Sequence, residues 1–234
     1  MKILVIVPAY NEEEAISDVI KDLKTNFSEA DILVINDGSR DKTSEVAREN
    51  GALVLDLPAN LGIGGAVQTG LKFALRYGYD IAIQFDGDGQ HIASEIPKLI
   101  DPIKSNVADA VIGSRFLKDS PSDFKSTLGR RLGIKFFEIL NTILIRKHIT
   151  DNTSGFRAYN REAIEFMAYN YPTDYPEPEA VILLGRNRFR LIEVPVRMKE
   201  RSCGKSSIFG FRVIYYMVKV TLSIIMTALR YRIR

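Results

Sequence analysis

IAIQFDGDGQH, residues 81–91, is the stretch from which both the fold and the site can be predicted. A mostly apolar run ends abruptly at Asp86 and Asp88, which flank a glycine, and Gln90 follows at the next alternate position. This pattern is typical of a buried strand that surfaces at its C-terminal end, where open α/β sheets bind ligands. Two carboxylates and an amide oxygen are hard ligands that suit Mg²⁺ or Mn²⁺ carrying a phosphate. An isolated D-G-D is also compatible with a solvated acidic turn.

Outward from this stretch, short apolar runs alternate with helical patterns, which predicts an α/β fold with a mostly parallel central sheet and helices on both faces. Polar clusters follow three of the predicted strands and should converge on one crevice. The clusters are Tyr10-Asn11-Glu12, Asp37-Gly38-Ser39 and Asp86-Gly87-Asp88. Asn11 is also placed to cap the first helix. The strands are predicted at Ile3–Val7, Ile32–Ile35, Ala52–Leu55, from Ile81, Ala110–Ile112 and Leu191–Met198, and a long helical stretch is predicted at Leu128–Ile145.

Length and composition fit one good-sized α/β domain, alone or with an appendage. The 234 residues are 46% hydrophobic and 26% charged, and the net charge of +3 gives no argument for a nucleic-acid partner. The only cysteine, Cys203, excludes an internal disulfide and fits a reducing compartment. The N-terminal apolar run is too short for a signal peptide, and no apolar stretch has the length of an ordinary membrane-spanning helix.

The glycine-rich GIGG at residues 62–65 is a weak match to a dinucleotide-binding motif, because it does not follow the first strand and Val67 replaces the final glycine. Glycines that allow close packing of a helix are an equally good interpretation. No phosphate-binding loop ending in Gly-Lys-Ser/Thr follows a strand.

The last segment has the pattern of a basic amphipathic helix with a wide apolar face, which predicts a helix lying in a membrane interface. The alternative is a helix packed on its own domain or on a second subunit. Its polar residues recur at spacings of three or four on one stripe, at Arg212, Tyr216, Lys219, Ser223, Thr227, Arg230 and Arg234.

Taken together, the motifs resemble those of the family 2 glycosyltransferases of the GT-A fold, in the polyprenyl-phosphate branch similar to dolichol-phosphate-mannose synthase. The resemblance covers nearly the whole chain. It rests, in order, on VPAYNEE, INDGSRDKT, NLGIGGAVQTG, FDGDGQH, GSRF, TSGFRAYNR and RSCGKSS.

The resemblance implies roles for particular residues. The metal site is Asp86, Asp88 and Gln90, and the catalytic set is Asp86, Asp88, Arg115 and Arg131. The nucleotide pocket is formed by Pro8, Tyr10, Asn11, Glu12, Asp37, Gly64 and Asp86. The diphosphate and the acceptor phosphate are held by Arg115, Arg130, Arg131, Arg201 and Lys205. One departure is Asn36, where many relatives have the first of two aspartates.

The implied activity is a metal-dependent, inverting transfer of a sugar from a nucleotide-diphospho-sugar to a polyprenyl phosphate, undecaprenyl or dolichyl, with Mg²⁺ or Mn²⁺. UDP-glucose or UDP-N-acetylglucosamine is expected as donor, with GDP-mannose as the alternative. Three other hypotheses remain: a sugar-hydroxyl acceptor in cell-surface polysaccharide synthesis, with Glu177 or Glu179 as general base; a nucleotidyltransferase; and an inert membrane-docking protein.

The expected organisation is one catalytic domain over residues 1–205, with a nucleotide-sugar and metal half at 1–115 and an acceptor half at 116–205. The interfacial helix then occupies residues 206–234. The expected location is the cytoplasmic face of a membrane, peripherally, with a homo-oligomer or a small membrane protein as a further partner.

Overall fold

The structure is a computed structural model, and it describes residues 1–117, 128–199 and 211–229. The side chains of residues 128–135, 137 and 211–217 are not described. Seven strands and eight α-helices lie in these ranges. The strands are β1 (Ile3–Ala9), β2 (Asp31–Asn36), β3 (Leu53–Asp56), β4 (Ile81–Gln84), β5 (Ala110–Ser114), β6 (Arg157–Asn160) and β7 (Leu191–Pro195). The helices are α1 (Ile16–Asn26), α2 (Thr43–Glu49), α3 (Gly62–Arg76), α4 (Ile96–Lys104), α5 (Leu128–Ile145), α6 (Arg161–Asn170), α7 (Pro176–Arg186) and α8 (Phe211–Leu229).

The strands form one sheet in the order β3-β2-β1-β4-β6-β5-β7. Strands β1 to β4 pair in parallel, and β5 pairs in parallel with β7. The β1 and β4 runs are apolar at almost every position because both faces of these strands are covered. The mostly parallel α/β sheet expected from the sequence is therefore confirmed.

The sheet departs from the expected pattern at β6, which runs antiparallel to both of its neighbours, β4 and β5. The sequence pattern indicates a loop followed by a helix in this segment. Its four residues, RAYN, are half polar and carry no alternating apolar signal. The strand forms because Arg157 pairs with Gln84 across the sheet, a contact over 73 positions that local patterning does not reveal.

Helices cover both faces of the sheet. One core cluster joins β1 and β4 to α1 and α4, and a second joins β1 and β2 to α3, α6 and α7. A third, smaller cluster brings Val220, Ile224 and Ala228 of α8 against Ile182 of α7, with Leu140 of α5 beside them. Helix α8 therefore has a face packed on the protein, as in the alternative interpretation of its pattern. None of the helices within the described ranges is both long and apolar enough to span a membrane.

One local expectation is wrong. Asn11 does not cap α1: the residue before that helix is Ala15, which makes no side-chain cap, and Asn11 adopts a positive φ of 55°. The polar stripe of α8 is only partly exposed. Lys219 is exposed, but Thr227 is buried and donates a hydrogen bond to Glu179 on α7, 3.1 Å away.

Candidate active site

A cavity of about 480 Å³ opens at the carboxyl edge of β1, β2 and β4. The three predicted polar clusters converge here because parallel strands end on the same edge. Ile63 and Ala66 of α3 complete one wall of the cavity. Tyr10 is 44% exposed, so its aromatic ring is accessible from the cavity. The residues expected at the nucleotide or metal that line the cavity are Pro8, Tyr10, Glu12, Asp37, Asp86 and Asp88.

The loops that follow β1 and β2, which form one side of the cavity, are held together by hydrogen bonds. Ser39 Oγ accepts from the Asn11 N–H at 2.9 Å, and Asn11 Oδ1 accepts from the Arg40 N–H at 2.8 Å. Thr43 Oγ1 accepts from the Glu12 N–H at 2.8 Å. Asn11 thus serves the site by holding the loop and is not among the residues that line the cavity. A loop fixed in this way loses little further freedom when a ligand binds.

Asp37 is buried, and its Oδ1 accepts the backbone N–H of Leu61 at 2.7 Å, at the start of α3. Burial raises the pKa of Asp37, while the N–H groups of Leu61 and Gly62 act in the opposite direction. The carboxylate therefore ties the end of β2 to the N-terminus of α3. Asn36 donates to Asp56 Oδ1 at 2.8 Å and accepts from the Ser39 N–H at 3.1 Å.

Gly64 does not line the cavity. A methyl group built on Gly64 would collide with the carbonyl oxygens of Pro172 and Thr173, so this glycine lets α3 pack against the loop before α7. Gly70 allows an equally close approach of α3 to Ile6 of β1. These contacts favour the packing interpretation of the glycine-rich segment.

Asp86 is positioned from two sides. Its backbone N–H donates to Nδ1 of His91 at 2.9 Å, and Nε2 of the same ring lies 3.6 Å from Asp86 Oδ2. His91 is buried, stacks on Phe156 at 4.7 Å and contacts the edge of Phe85. Burial lowers the pKa of His91 to about 3, although the charge of Asp88 acts to raise it, so the imidazole is neutral at neutral pH. On its other side the Asp86 carboxylate faces the backbone of Gly155.

Asp88 and Gln90 follow on the same turn. Asp88 Oδ1 accepts the Gln90 backbone N–H at 3.0 Å, and the Gln90 carbonyl accepts the Lys199 N–H at 2.8 Å. Asp86 and Asp88 both line the cavity, whereas Gln90 is not among the residues that line it. Two carboxylates beside an open cavity are a donor set that fits a divalent cation completed by ligand phosphates, the usual arrangement for Mg²⁺. Among the described residues, no cluster of three or more aspartate, glutamate, histidine or cysteine side chains is arranged to hold a metal ion.

Arg115, just after β5, is held by a buried carboxylate. Its Nε and Nη2 donate to Asp151 Oδ2 and Oδ1 at 2.7 and 2.8 Å, and Nη2 also reaches Thr153 Oγ1 at 3.1 Å. Burial acts to lower the pKa of Arg115, but the hydrogen bonds and charge of Asp151, with the charge of Asp86, raise it. The guanidinium is thus a permanent cation in a fixed orientation near the Asp86 carboxylate.

The element that organises this side of the site is the loop of residues 149–156, which the sequence pattern does not reveal. Gly155 and Asp151 of the loop face Asp86 and Arg115 respectively. The guanidinium of Arg157 is fully buried and closes the loop by donating to the carbonyls of Ser154 at 2.8 Å and Asn152 at 3.1 Å. The available signal is TSGFRAYNR, which contributes to the family resemblance without indicating a role for any of its residues.

The two glutamates at the start of α7 lie in different surroundings. Glu179 is buried and accepts from Thr227 of α8, which makes it a link between helices. Glu177 is half-buried. Burial raises the pKa of Glu177, opposed by the charge of Arg157 and reinforced by that of Asp86, so Glu177 lies within electrostatic reach of Asp86.

The remaining basic residues expected at the phosphates fall where no side chain is described. Arg130 and Arg131 lie in the first turn of α5, with only their backbone described. Arg201 and Lys205 lie outside the described residues.

The chain belongs to glycosyltransferase family 2, because the sequence model described as "Glycosyl transferase family 2" matches residues 4–167. It is 30% identical over 240 residues to UDP-N-acetylglucosamine–dolichyl-phosphate N-acetylglucosaminyltransferase of Methanococcus voltae, covering 92% of this chain and 94% of that protein. It is 31% identical over 234 residues to undecaprenyl-phosphate mannosyltransferase of Micrococcus luteus, covering 94% of this chain and 93% of that protein. The protein is therefore a glycosyltransferase, and these relatives are named for transfer to polyprenyl phosphates.

Among solved structures, glucosyl-3-phosphoglycerate synthase from Mycobacterium tuberculosis, in complex with Mn²⁺, UDP-glucose and phosphoglyceric acid, resembles the chain with a TM-score of 0.70. The match covers 97% of this chain and 79% of that one at 20% identity. This likeness supports the fold, which is GT-A-like.

Proposed function

We propose that this glycosyltransferase moves a sugar from a nucleotide-diphospho-sugar to a polyprenyl phosphate at a membrane surface, with inversion at the anomeric carbon. The observation that carries the proposal is that the fixed guanidinium of Arg115 lies within electrostatic reach of Asp86, which lines the acidic cavity together with Asp37 and Asp88. The acidic side suits a metal-bound diphosphate and the basic side suits a second phosphate. The two polyprenyl-phosphate relatives cover almost the whole chain, which supports the same acceptor class.

On the donor side, Tyr10 and Asp37 bind the nucleoside, because a ring face and an acceptor oxygen complement a base and its N–H or a ribose hydroxyl. Asp86 and Asp88, with Gln90 two residues further along the same turn, would hold Mg²⁺ or Mn²⁺. A divalent cation held there would supply positive charge opposite the departing nucleoside diphosphate. The structure of the Mycobacterium tuberculosis synthase contains Mn²⁺ and UDP-glucose, which supports a divalent cation and a nucleotide-sugar as the ligands of this fold.

On the acceptor side, a phosphate monoester is largely ionised at neutral pH, with a second pKa of about 6. Such a nucleophile needs orientation by cations more than deprotonation by a base. Arg115 supplies directed N–H donors, and Asp151 keeps them in one orientation. Arg131 is assigned to the same phosphate, with Arg130, Arg201 and Lys205 as further cations, on the resemblance alone.

For the donor we propose a UDP-sugar, glucose or N-acetylglucosamine, over GDP-mannose. One relative is named for UDP-N-acetylglucosamine and another for mannose transfer, so the relatives leave the sugar open. A thermal-shift panel of UDP-glucose, UDP-N-acetylglucosamine and GDP-mannose with Mn²⁺ tests this choice. The true donor stabilises the folded state by mass action, by about 2.7 kcal/mol at roughly a hundred times its Kd. A largest shift with GDP-mannose would overturn the UDP assignment.

We also assign a peripheral position on the cytoplasmic face of the membrane. Helix α8 exposes Leu222, Met226 and Leu229, and α5 exposes Phe136 and Ile143. Large apolar side chains exposed on two helices of one cluster are typical of a membrane or protein interaction surface. In this arrangement residues 1–205 form the catalytic domain, and α8 docks it to lipid through the face opposite its packed one.

A further inference from the structure

Glu193 lies on β7, next to β5, and its carboxylate accepts hydrogen bonds from the 149–156 loop. Oε2 accepts the Thr150 N–H at 2.7 Å, Oε1 accepts the Asp151 N–H at 2.8 Å, and Thr150 Oγ1 lies 3.0 Å from Oε1. Thr150 Oγ1 is also 2.9 Å from Ser114 Oγ, at the end of β5. Burial raises the pKa of Glu193, against the hydrogen bonds that favour its charged form. A partly buried carboxylate that receives two adjacent backbone N–H groups fixes the direction of the chain there.

The next link is Asp151, which is fully buried. Its two oxygens accept the Nε and Nη2 donors of Arg115 in a fork, and Oδ2 also accepts the Arg115 backbone N–H at 3.1 Å. The orientation of the guanidinium is therefore set by Asp151, and the position of Asp151 is set by Glu193. A bidentate pair transmits a displacement of either partner, because its two parallel hydrogen bonds require a specific geometry.

The far end of the same loop reaches the metal carboxylates through Gly155, which lies against Asp86. Arg157 fixes that end through the carbonyls of Ser154 and Asn152. One short loop thus determines where Arg115 stands relative to Asp86.

We propose that Glu193 is a positioning residue for sugar transfer, acting through Asp151 to aim the Arg115 guanidinium at the acceptor phosphate. The inference rests on the proposed acceptor role of Arg115. Glu193 stands 42 positions after Asp151 in the chain, and the edge strand β7 brings the two residues together. Glu193 itself touches no substrate in this scheme.

The test is a double-mutant cycle on the full-length protein with Glu193→Gln and Arg115→Ala. Glutamine keeps the shape of the side chain but has one oxygen for two N–H groups, so the loop loses one anchor. Glu193→Gln should raise the acceptor KM about tenfold and leave the donor KM within about twofold. If Glu193 acts through Arg115, the double variant is no worse than Arg115→Ala alone.

Additive effects in the cycle, or equal changes in both KM values, would overturn the positioning role while leaving the acceptor role of Arg115 intact. An Arg115→Ala variant with an unchanged acceptor KM would instead remove the acceptor assignment, and the inference with it. If Glu193→Gln fails to fold, Asp151→Asn provides a second variant, which weakens the Asp151–Arg115 pair directly. It should likewise raise the acceptor KM and leave the donor KM within about twofold. Glu165→Gln, at an exposed glutamate of α6, is the matched control and should change neither constant.

Discussion

The Asp86 carboxylate and the α carbon of Gly155 lie so close that a methyl group built on the glycine would stand 2.6 Å from Oδ2 and 2.8 Å from Oδ1. Asp86 follows β4 and Gly155 precedes β6. Because these two strands are antiparallel neighbours, the end of one lies beside the start of the other. Only a residue without a side chain leaves the carboxylate where it is. Asp86 is thus fixed by Gly155 on one side and by the buried ring of His91 on the other.

Gly155→Ala should therefore displace the Asp86 carboxylate and reduce turnover about a hundredfold, the usual effect of a misplacement of about 1 Å at a reacting centre. Steady-state transfer with saturating donor, together with a Mn²⁺ titration, measures the effect. The control is Gly78→Ala, at a glycine with φ of 70° and open space around it. This control should cost about 1–2 kcal/mol of stability and leave turnover within about twofold. Wild-type turnover of Gly155→Ala would show that the glycine is not needed to place Asp86.

The parts of the fold that the sequence predicts are those with strong local signals. The runs at β1 and β4 are apolar on both faces, and the helical stretch predicted at Leu128–Ile145 coincides with α5. The meeting of the Tyr10, Asp37 and Asp86 clusters follows from strand direction alone. These inferences need no knowledge of long-range contacts.

The 149–156 loop could not be predicted, for a physical reason. Asp151 looks like an exposed loop acid, and its burial depends on Arg115, 36 positions earlier, and on Glu193, 42 positions later. Arg157 looks like a surface cation, but it lies in a strand and donates to the loop carbonyls. Burial of such charged side chains depends on partners that only the folded sheet brings together.

Asp88→Asn should abolish most of the transfer while the fold survives, because Asp88 lines the open cavity. Loss of a carboxylate that holds the cation should lower turnover at least about a hundredfold and weaken Mn²⁺ binding in parallel. Asp80→Asn is a matched control at the opposite end of β4, where Asp80 accepts the Lys2 N–H at 2.8 Å. Near-normal turnover of Asp88→Asn after EDTA treatment and return of Mg²⁺ would show that the metal assignment is wrong.

Glu177→Gln separates the phosphate acceptor from a hydroxyl acceptor. A polyprenyl phosphate needs no general base, so the variant should lose less than about tenfold in turnover, whereas loss of a required base lowers the rate roughly a hundredfold to ten-thousandfold. The pH profile gives a second readout. Because burial raises the pKa of Glu177, a mechanism with Glu177 as base predicts a rate that falls as the pH drops through that raised pKa. Glu177→Gln would then abolish this fall in rate at low pH. Glu179→Gln serves as the comparison variant, because Glu179 accepts a hydrogen bond from Thr227 of α8.

Membrane docking is best tested by point substitution. Because α8 packs on the protein, truncation would not distinguish loss of lipid binding from loss of the fold. Removing α8 would uncover Ile182 and the rest of the third core cluster, so an insoluble product would say nothing about lipid. Leu222 and Met226 are instead 56% and 69% exposed on α8, away from the packed Val220 and Ile224. Placing glutamates at Leu222 and Met226 therefore leaves the core untouched.

The double variant Leu222→Glu/Met226→Glu should bind anionic vesicles at least about tenfold more weakly, because burying each apolar side chain contributes about 1.5–3 kcal/mol. Turnover with undecaprenyl phosphate in vesicles should fall with it, whereas the thermal shift produced by the donor should stay the same, since the nucleotide cavity lies at the β1, β2 and β4 edge. Val107→Glu, at a site 59% exposed between α4 and β5, controls for added surface charge. Unchanged co-sedimentation of the α8 variant would assign this face to another partner, and a lost donor shift would show that α8 supports the catalytic domain itself.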